Sequence, residues 1–278
     1  MSRGNMLLSQ AKGKVGSLVF SVLKGQQITK TYQSKNGSKT FSQVAQRVRL
    51  ANPVAFYKLA TGAFFKFAFE DKQRLESDYN AFVRENLMAV PAYQSKDEAS
   101  KNVCLPAPYK LSKGGLANGA VSQDTGSNSI SLSATATPQT VAQLSTAILG
   151  ANAELRVGDM LTFVAVRGDS NSNFTSFHYL QIILSTTDST ALPADVGDSA
   201  GEITYSTTKV ELSSDEGVAV AIIITRNNGG KIFANNSKLS LSSAAAAAYT
   251  AASSSSKLQT AASSYGYTEA ILDPKKQA

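Results

Sequence analysis

Few residues of this 278-residue chain have side chains suited to covalent chemistry. Cys104 is the single cysteine and His178 the single histidine, so a disulfide within the chain and a Cys/His zinc site are both excluded. His178 stands between Phe177 and Tyr179 in a strand-like pattern, which is typical of a structural or surface histidine. Cys104 has no histidine in its own region, which favours an inert thiol. We therefore predict that the chain is not an enzyme and has no catalytic residues.

Two further patterns resemble ligand-binding loops but lack essential residues. Residues 13–16 and 113–115 contain glycine and lysine without the spacing that wraps backbone amides around a phosphate. Residues 169–173 begin like a calcium loop, but Phe174 and Leu180 stand where glycine and an acidic residue are required. The sequence accordingly predicts no metal site and no cofactor.

The most informative residues are the cations near the N-terminus. Eleven Lys and Arg residues precede Glu70, which is the first acidic residue of the chain. With no carboxylate nearby in sequence, these cations predict contact with phosphates or with the acidic surface of another subunit. Three interpretations remain open: a solvated basic face, a nucleic-acid contact, and docking to a neighbouring protein. The candidate binding residues are Lys12, Lys14, Lys24, Lys30, Arg47 and Arg49.

Two predicted elements position these cations. The alternation of Leu18, Phe20 and Val22, a turn at residues 24–25 and a return over residues 28–32 predict a β-hairpin. From residue 43 onward, apolar residues at helical spacing predict a helix with a break or kink at Pro53. Two positions along a helix differ by about 200°, so Arg47 and Arg49 do not form one charged patch.

Aromatic residues are concentrated between residues 56 and 69. This density favours a buried core or a contact between subunits, because an exposed phenylalanine cluster would promote aggregation. Stacking of nucleic-acid bases is the alternative interpretation. The candidate assembly-contact residues are Phe64, Phe65 and Phe67.

The remaining sequence predicts the fold class, α+β and mainly β. Short apolar runs separated by turn residues predict an antiparallel β-sandwich, immunoglobulin-like or jelly-roll-like, with residues 218–224 as its central strand. Residues 242–264 are almost entirely Ala and Ser, which predicts a helix formed on docking or a flexible spacer. The predicted domains are a basic hairpin-and-helix docking module (1–112), the β-sandwich (113–241) and the Ala/Ser-rich tail (242–278).

Several short stretches carry a family resemblance. They are GKVG at residues 13–16, QVAQRVRL at 43–50 and SDYNAFVRENL at 77–87, followed by VGD at 157–159 and the hairpin pattern of 218–239. Together they resemble an uncharacterised family of proteins from Bacteroidota and their phages. The family has no established activity, but its occurrence near phage genes implies a virion component or an accessory protein. The family pattern often has a tryptophan after the first helix, whereas this chain has none and also departs from the pattern in its Ala/Ser tail.

These observations predict a non-enzymatic phage or phage-derived structural protein that docks through its basic N-terminal module. The alternative is a nucleic-acid-binding protein that uses the acid-free N-terminal region, with Phe20 or Tyr32 stacking a base. The expected partners are further copies of the chain or other virion proteins. We expect synthesis in a cytoplasm and association with a virion, with no membrane partner, because no apolar stretch approaches the ~20 residues that span a bilayer.

Overall fold

The chain forms an α+β fold with several antiparallel sheets. The computed structural model describes residues 12–23, 25–32, 40–60, 68–73, 76–118, 122–123, 129–131, 136–196, 202–206, 209–213 and 217–269. Two compact units are distinguished along the chain, residues 1–39 and residues 40–278. Helix and strand account for nearly equal shares, 31% and 33%, whereas the sequence predicted a mainly β chain.

The first unit contains a three-stranded antiparallel sheet in the order β1-β2-β3. Its strands are β1 (Gly13–Val15), β2 (Leu18–Leu23) and β3 (Gln26–Thr31). The predicted hairpin is confirmed as β2–β3, in which Leu18 pairs with Thr31. A two-residue turn joins β1 to β2, and its first residue, Gly16, has a φ of 57°, a left-handed conformation that glycine adopts without strain. We call this element the N-terminal sheet.

The second unit contains the described helices. They are α1 (Phe41–Leu59), α2 (Asp78–Asn86), α3 (Lys96–Ser100), α4 (Val141–Ala151), α5 (Ser243–Ala252) and α6 (Ser255–Ser264). The α1 helix continues through Pro53 instead of ending there. Both helices of the Ala/Ser tail begin with a serine N-cap, Ser242 and Ser254, whose hydroxyl accepts a hydrogen bond from a first-turn amide. None of the helices in the described part of the chain has the length and apolar character needed to cross a membrane.

The largest sheet of the second unit has five strands. The strands outside the N-terminal sheet are β4 (Lys110–Ser112), β5 (Ser122–Gln123), β6 (Ser129–Ser131), β7 (Met160–Gly168), β8 (Phe174–Ile183), β9 (Glu202–Tyr205), β10 (Lys209–Ser213), β11 (Gly217–Asn228), β12 (Lys231–Ala234), β13 (Ser237–Lys238) and β14 (Ser240–Leu241). The large sheet has the order β12-β11-β7-β8, with β14 also paired to β11. A smaller sheet has the order β5-β6-β10-β9, and β13 pairs with β4.

The central position of β11 confirms the prediction for residues 218–224. On one face, Ala221 and Ile223 belong to a buried cluster that includes Phe56 of α1. On the other face, Val220 and Ile222 belong to a second cluster with residues of α4, β9 and β10. Because both faces are covered, every side chain in the middle of the strand must be apolar, which explains the uninterrupted run.

The core of the second unit crosses the domain boundary predicted at residues 112–113. Phe56, Phe82 and Tyr109, from the predicted N-terminal module, share one buried cluster with Val164 and Ile223 of the large sheet. The physical reason is that the apolar side of each helix needs a surface to cover it, and the alternating apolar residues of the sheet supply that surface.

The Ala/Ser tail also packs onto this unit. Ala245 and Ala252 of α5 belong to the cluster that contains Phe56. Leu258 of α6 is fully buried in a third cluster with Val44 and Val48 of α1. Small side chains allow these short helices to approach closely, so the alternative of a flexible spacer is wrong over the described residues of the tail.

Candidate docking surface

The strand register gives the N-terminal sheet one basic face. Lys14 of β1 lies opposite Val19, and Val19 lies opposite Lys30 of β3, so the two lysines share a face. Tyr32 follows Lys30 by two residues, and the Lys14 ammonium lies 3.5 Å from the centre of the Tyr32 ring. Such a cation–π contact holds the lysine and covers one side of the ring. Lys12 is exposed directly before β1.

The opposite face of the N-terminal sheet is apolar. Val15 pairs with Leu18, and Phe20 and Val22 follow on the same side of β2. Threonines 29 and 31 of β3 lie across from Phe20 and Leu18. The side chains of Val15 and Leu18 are 45% and 41% exposed. The sheet therefore presents an apolar face on one side and a basic face on the other.

Arg47 and Arg49 lie on α1, in the second unit, and have different surroundings. Arg47 acts electrostatically on Tyr265. Burial and Glu98 raise the pKa of Tyr265, and the positive charge of Arg47 opposes that rise. Arg49 instead lies beside Met88, with its Nη1 atom 3.7 Å from the thioether sulfur. The two arginines thus point to separate parts of the helix surface, as their spacing predicted.

Other candidate residues lie outside the described part of the chain. These are Lys24 of the predicted binding set and the three predicted assembly-contact residues Phe64, Phe65 and Phe67. The binding role of the lysine and the assembly role of the three phenylalanines remain predictions.

Residues 70–113 contain seven Lys and Arg and seven Asp and Glu, and several of these charges pair within the second unit. Lys113 forms ion pairs with Asp71 and Glu85 at 2.7 and 2.9 Å, and Arg84 approaches Glu76 to 2.6 Å. Burial acts to raise the pKa of Glu85, but hydrogen bonds from Lys113 and a second lysine outweigh burial and lower that pKa. The sequence could not reveal these pairs, because their members lie up to 42 residues apart, as Asp71 and Lys113 do.

The cations before Glu70 have a different environment. Within the part of the chain that the structure describes, no ion pair involves any of them; the described members are Lys12, Lys14, Lys30, Arg47, Arg49 and Lys58. The uncompensated positive charge of the first 113 residues therefore lies in the segment before Glu70, since the charges of residues 70–113 balance one another.

Among the described residues, those with potential for covalent or metal chemistry do not form a common site. Cys104 is buried, and burial raises the pKa of its thiol far above the ordinary range, so the thiolate is not accessible. His178 lies on β8 opposite Ala165. No group of three potential metal ligands occurs among the residues with described positions.

The calcium-like loop closes on its own carboxylate. Asp169 accepts hydrogen bonds from the backbone amides of Asn171 and Asn173 and from the Asn173 side chain. Burial acts to raise the pKa of Asp169, and these hydrogen bonds outweigh it and lower the pKa. The carboxylate thus serves the turn, as expected for a polar hairpin loop.

Comparison with known proteins provides no relative of this chain. No protein-family model, no curated protein and no solved structure matches it.

Proposed function

We propose that this chain is a non-enzymatic structural protein of a phage or a phage-derived particle. It docks onto a neighbouring particle protein through the apolar face of its N-terminal sheet. The observation that carries the proposal is the exposure of Val15 and Leu18 on a face that also contains Phe20 and Val22. Covering a side chain of this type contributes roughly 1.5–3 kcal/mol when burial is complete.

Size supports a docking role for the first unit. A unit of residues 1–39 is close to the limit of ~40 residues below which domains usually need disulfides, metals or association with a partner. This unit contains no cysteine and no histidine, so disulfide and zinc stabilisation are excluded for it. Of disulfides, metals and association with a partner, association is therefore the source of stability that remains for this unit.

Charge supports a partner that carries net negative charge. Residues 1–69 contain no Asp or Glu, and Lys14 and Lys30 share the face opposite the apolar one. Such charge steers the approach of an acidic subunit and disfavours contact between two basic faces. Further copies of the chain and other virion proteins are the partners proposed, with localisation in the virion after synthesis in a cytoplasm.

The alternative function is nucleic-acid binding through the basic face. Its support is that Lys14, Lys30 and Tyr32 lie on one face, where phosphates could contact the lysines. Two observations argue against base stacking. Lys14 already covers one side of the Tyr32 ring, and Phe20 lies on the opposite face of the sheet. A titration with single-stranded DNA at several salt concentrations tests it: log K that falls with log salt supports the alternative, and a flat dependence contradicts it.

We also propose that the C-terminal part is a β-sandwich of the immunoglobulin-like or jelly-roll-like type. The support is that Ile203 of β9 and Val210 of β10 share a buried cluster with Phe163 and Ile222 of the large sheet.

The docking proposal is tested with Leu18→Lys in the producing strain. Leu50→Lys is the matched control, because Leu50 on α1 is 39% exposed and Leu18 is 41% exposed. Particles are purified by density gradient, and the copy number of the chain is measured by mass spectrometry. We expect wild-type and Leu50→Lys proteins in the particles and at least a tenfold loss of Leu18→Lys. Absence of the wild-type chain, or equal retention of both variants, would contradict the proposal.

A further inference from the structure

A small groove lies between the first half of α1 and the residues that follow α2. Its volume is about 180 Å³. Ser42, Ala45, Gln46 and Arg49 line it from α1, where spacings of three and four residues place them on one face of the helix. Sites for drug-sized ligands commonly have volumes of roughly 300–1,000 Å³, so a groove of this size suits a single residue.

Much of the groove wall is apolar. Phe41, Leu87 and Met88 line it together with Ala45. The ring of Phe41 packs against that of Tyr267, with ring centres 5.5 Å apart, which holds this part of the wall in place. Met88 is 63% exposed, so the groove is open to solvent. Binding sites for small groups commonly combine such apolar walls with a few polar groups that fix the orientation of the ligand.

Arg49 supplies the charge of this groove. Among the lining residues in the described part of the chain, it is the only charged one. Its Nη1 atom lies 3.7 Å from the sulfur of Met88, which is a weak acceptor, and no carboxylate of the described residues pairs with it. By contrast, Arg84 and Arg226 contact carboxylates at 2.6 and 2.7 Å. The Arg49 guanidinium therefore retains donors for an anion.

The N-terminal end of α1 adds to the positive potential at the groove. Phe41 and Ser42, which line it, are the first two residues of the helix. The side chain of the N-cap residue Thr40 makes no capping hydrogen bond, and the first turn has no acidic residue. The amides of an uncapped helix terminus carry partial positive charge, so they favour an anion in the same place as Arg49 does.

We propose that this groove binds the C-terminal residue of a partner protein, an apolar residue whose carboxylate pairs with Arg49. A C-terminal residue carries its side chain and its carboxylate on one Cα atom, so both fit a groove of this size. In an extended internal segment, successive side chains point to opposite faces, so an acidic residue beside an apolar one does not meet this geometry. Capture of a C-terminal carboxylate is a recurrent mode of peptide recognition. This site lies outside the N-terminal sheet and goes beyond the docking function proposed above.

The ligand class is tested with the full chain and short peptides, followed by nuclear magnetic resonance of labelled methionine methyl groups. The chain has four methionines, and Met88→Leu identifies the signal of Met88 by its loss. The probes are acetyl-Ala-Ala-Leu with a free carboxylate, the same peptide as its C-terminal amide, and acetyl-Ala-Ala-Gly with a free carboxylate. We expect the first probe to shift the Met88 signal with a dissociation constant on the order of 1 mM. The amide and the glycine peptide should bind about fivefold and about tenfold more weakly, respectively.

Arg49→Gln tests the contribution of the charge. Arg156→Gln is the matched control, because Arg156 is exposed and does not line the groove. We expect Arg49→Gln to lower the affinity for the leucine acid to that for its amide and Arg156→Gln to leave it unchanged. No shift with the leucine acid, equal binding of acid and amide, or equal effects of the two substitutions would overturn the proposal.

A further probe distinguishes a chain terminus from a fatty acid. Hexanoate combines a carboxylate with an apolar chain but lacks the peptide backbone, and we expect it to bind more weakly than acetyl-Ala-Ala-Leu. Hexanoate that binds as tightly as this peptide would overturn the assignment to a protein C-terminus. These titrations use the isolated chain and no particles, so their outcome is independent of the docking of the N-terminal sheet.

Discussion

Replacing the buried Tyr109 with phenylalanine should stabilise the protein. Tyr109 has no solvent exposure, and its ring lies 4.3 Å from that of Phe56 and 5.9 Å from that of Phe82. Its hydroxyl has no hydrogen-bond partner among the residues that the structure describes. A buried polar group without a partner costs about 1–3 kcal/mol, and phenylalanine keeps the ring packing while removing that group. We therefore expect Tyr109→Phe to raise the free energy of unfolding by about 1 kcal/mol or more.

Tyr205 provides a matched control of opposite sign. It is partly buried, and its hydroxyl donates a hydrogen bond to the carbonyl of Pro193 at 3.0 Å. Tyr205→Phe should therefore lower the free energy of unfolding by about 1 kcal/mol. Urea unfolding followed by far-ultraviolet circular dichroism measures both changes, provided that the m-value stays constant.

The two tyrosines also predict a pH dependence. Burial raises the pKa of Tyr109, and burial likewise raises the pKa of Tyr205. The unfolded tyrosines ionise near a pH of about 10 while the folded ones stay neutral, so stability is lost as pH rises above that value. Tyr109→Phe should reduce this alkaline loss. If Tyr109→Phe destabilises the protein at neutral pH, or changes stability as Tyr205→Phe does, the inference of an unpartnered hydroxyl is wrong.

Three further substitutions test contacts within the second unit. Asp159→Asn breaks a bidentate ion pair in which Arg226 contacts both carboxylate oxygens at 2.7 Å. Because Asp159 is buried, we expect the free energy of unfolding, measured in urea, to fall by about 3 kcal/mol. Burial acts to raise the pKa of Glu98, but hydrogen bonds, first from Lys257, outweigh burial and lower that pKa. Stability should therefore fall as pH drops through about 4. In thermal unfolding measured against pH, Glu98→Gln should make this acid loss of stability smaller. Ser254→Ala removes the N-cap of α6 and should cost about 1 kcal/mol, with faster amide hydrogen exchange confined to that helix.

Each of these three expectations has a result that would contradict it. Asp97→Asn is the control for Asp159→Asn, because the Asp97–Lys101 pair is exposed, is screened by solvent and should contribute much less to stability. Equal losses in the two variants would show that burial does not determine the strength of the pair. An unchanged acid slope in Glu98→Gln, or slower exchange in Ser254→Ala, would refute the assigned roles of those side chains.

Several elements could be predicted because their signals are local. Alternation from Leu18 to Val22 and the glycine at residue 25 predict the hairpin, since a strand exposes every second residue to the same side. The uninterrupted apolar run of residues 218–224 predicts a strand covered on both faces. The same alternation places Leu18, Phe20 and Val22 on one face of β2, but the face on which Lys14 lies depends on the register of β1 against β2.

Other features could not be predicted, because they depend on pairs of residues that are distant in sequence. The place of β8 at one end of the described strand order is invisible in composition, since whether a strand is central or terminal depends on the order of strands in the sheet. The sequence of the Ala/Ser tail predicts only a weakly stable helix. The contacts of Leu258 with α1, which stabilise the tail, depend on the tertiary structure.

Sequence alone determined that the first acidic residue is Glu70, that the chain has one cysteine and one histidine, and that apolar residues alternate along β2. Those facts follow from residue types and from the fixed periods of strands and helices. Tertiary structure decided which cations are neutralised, which face of the N-terminal sheet is apolar, and that one core joins helices and sheets across residue 112. These outcomes depend on packing and on ion pairs between distant segments, because burial and Coulomb energy act through distance in space and not along the chain.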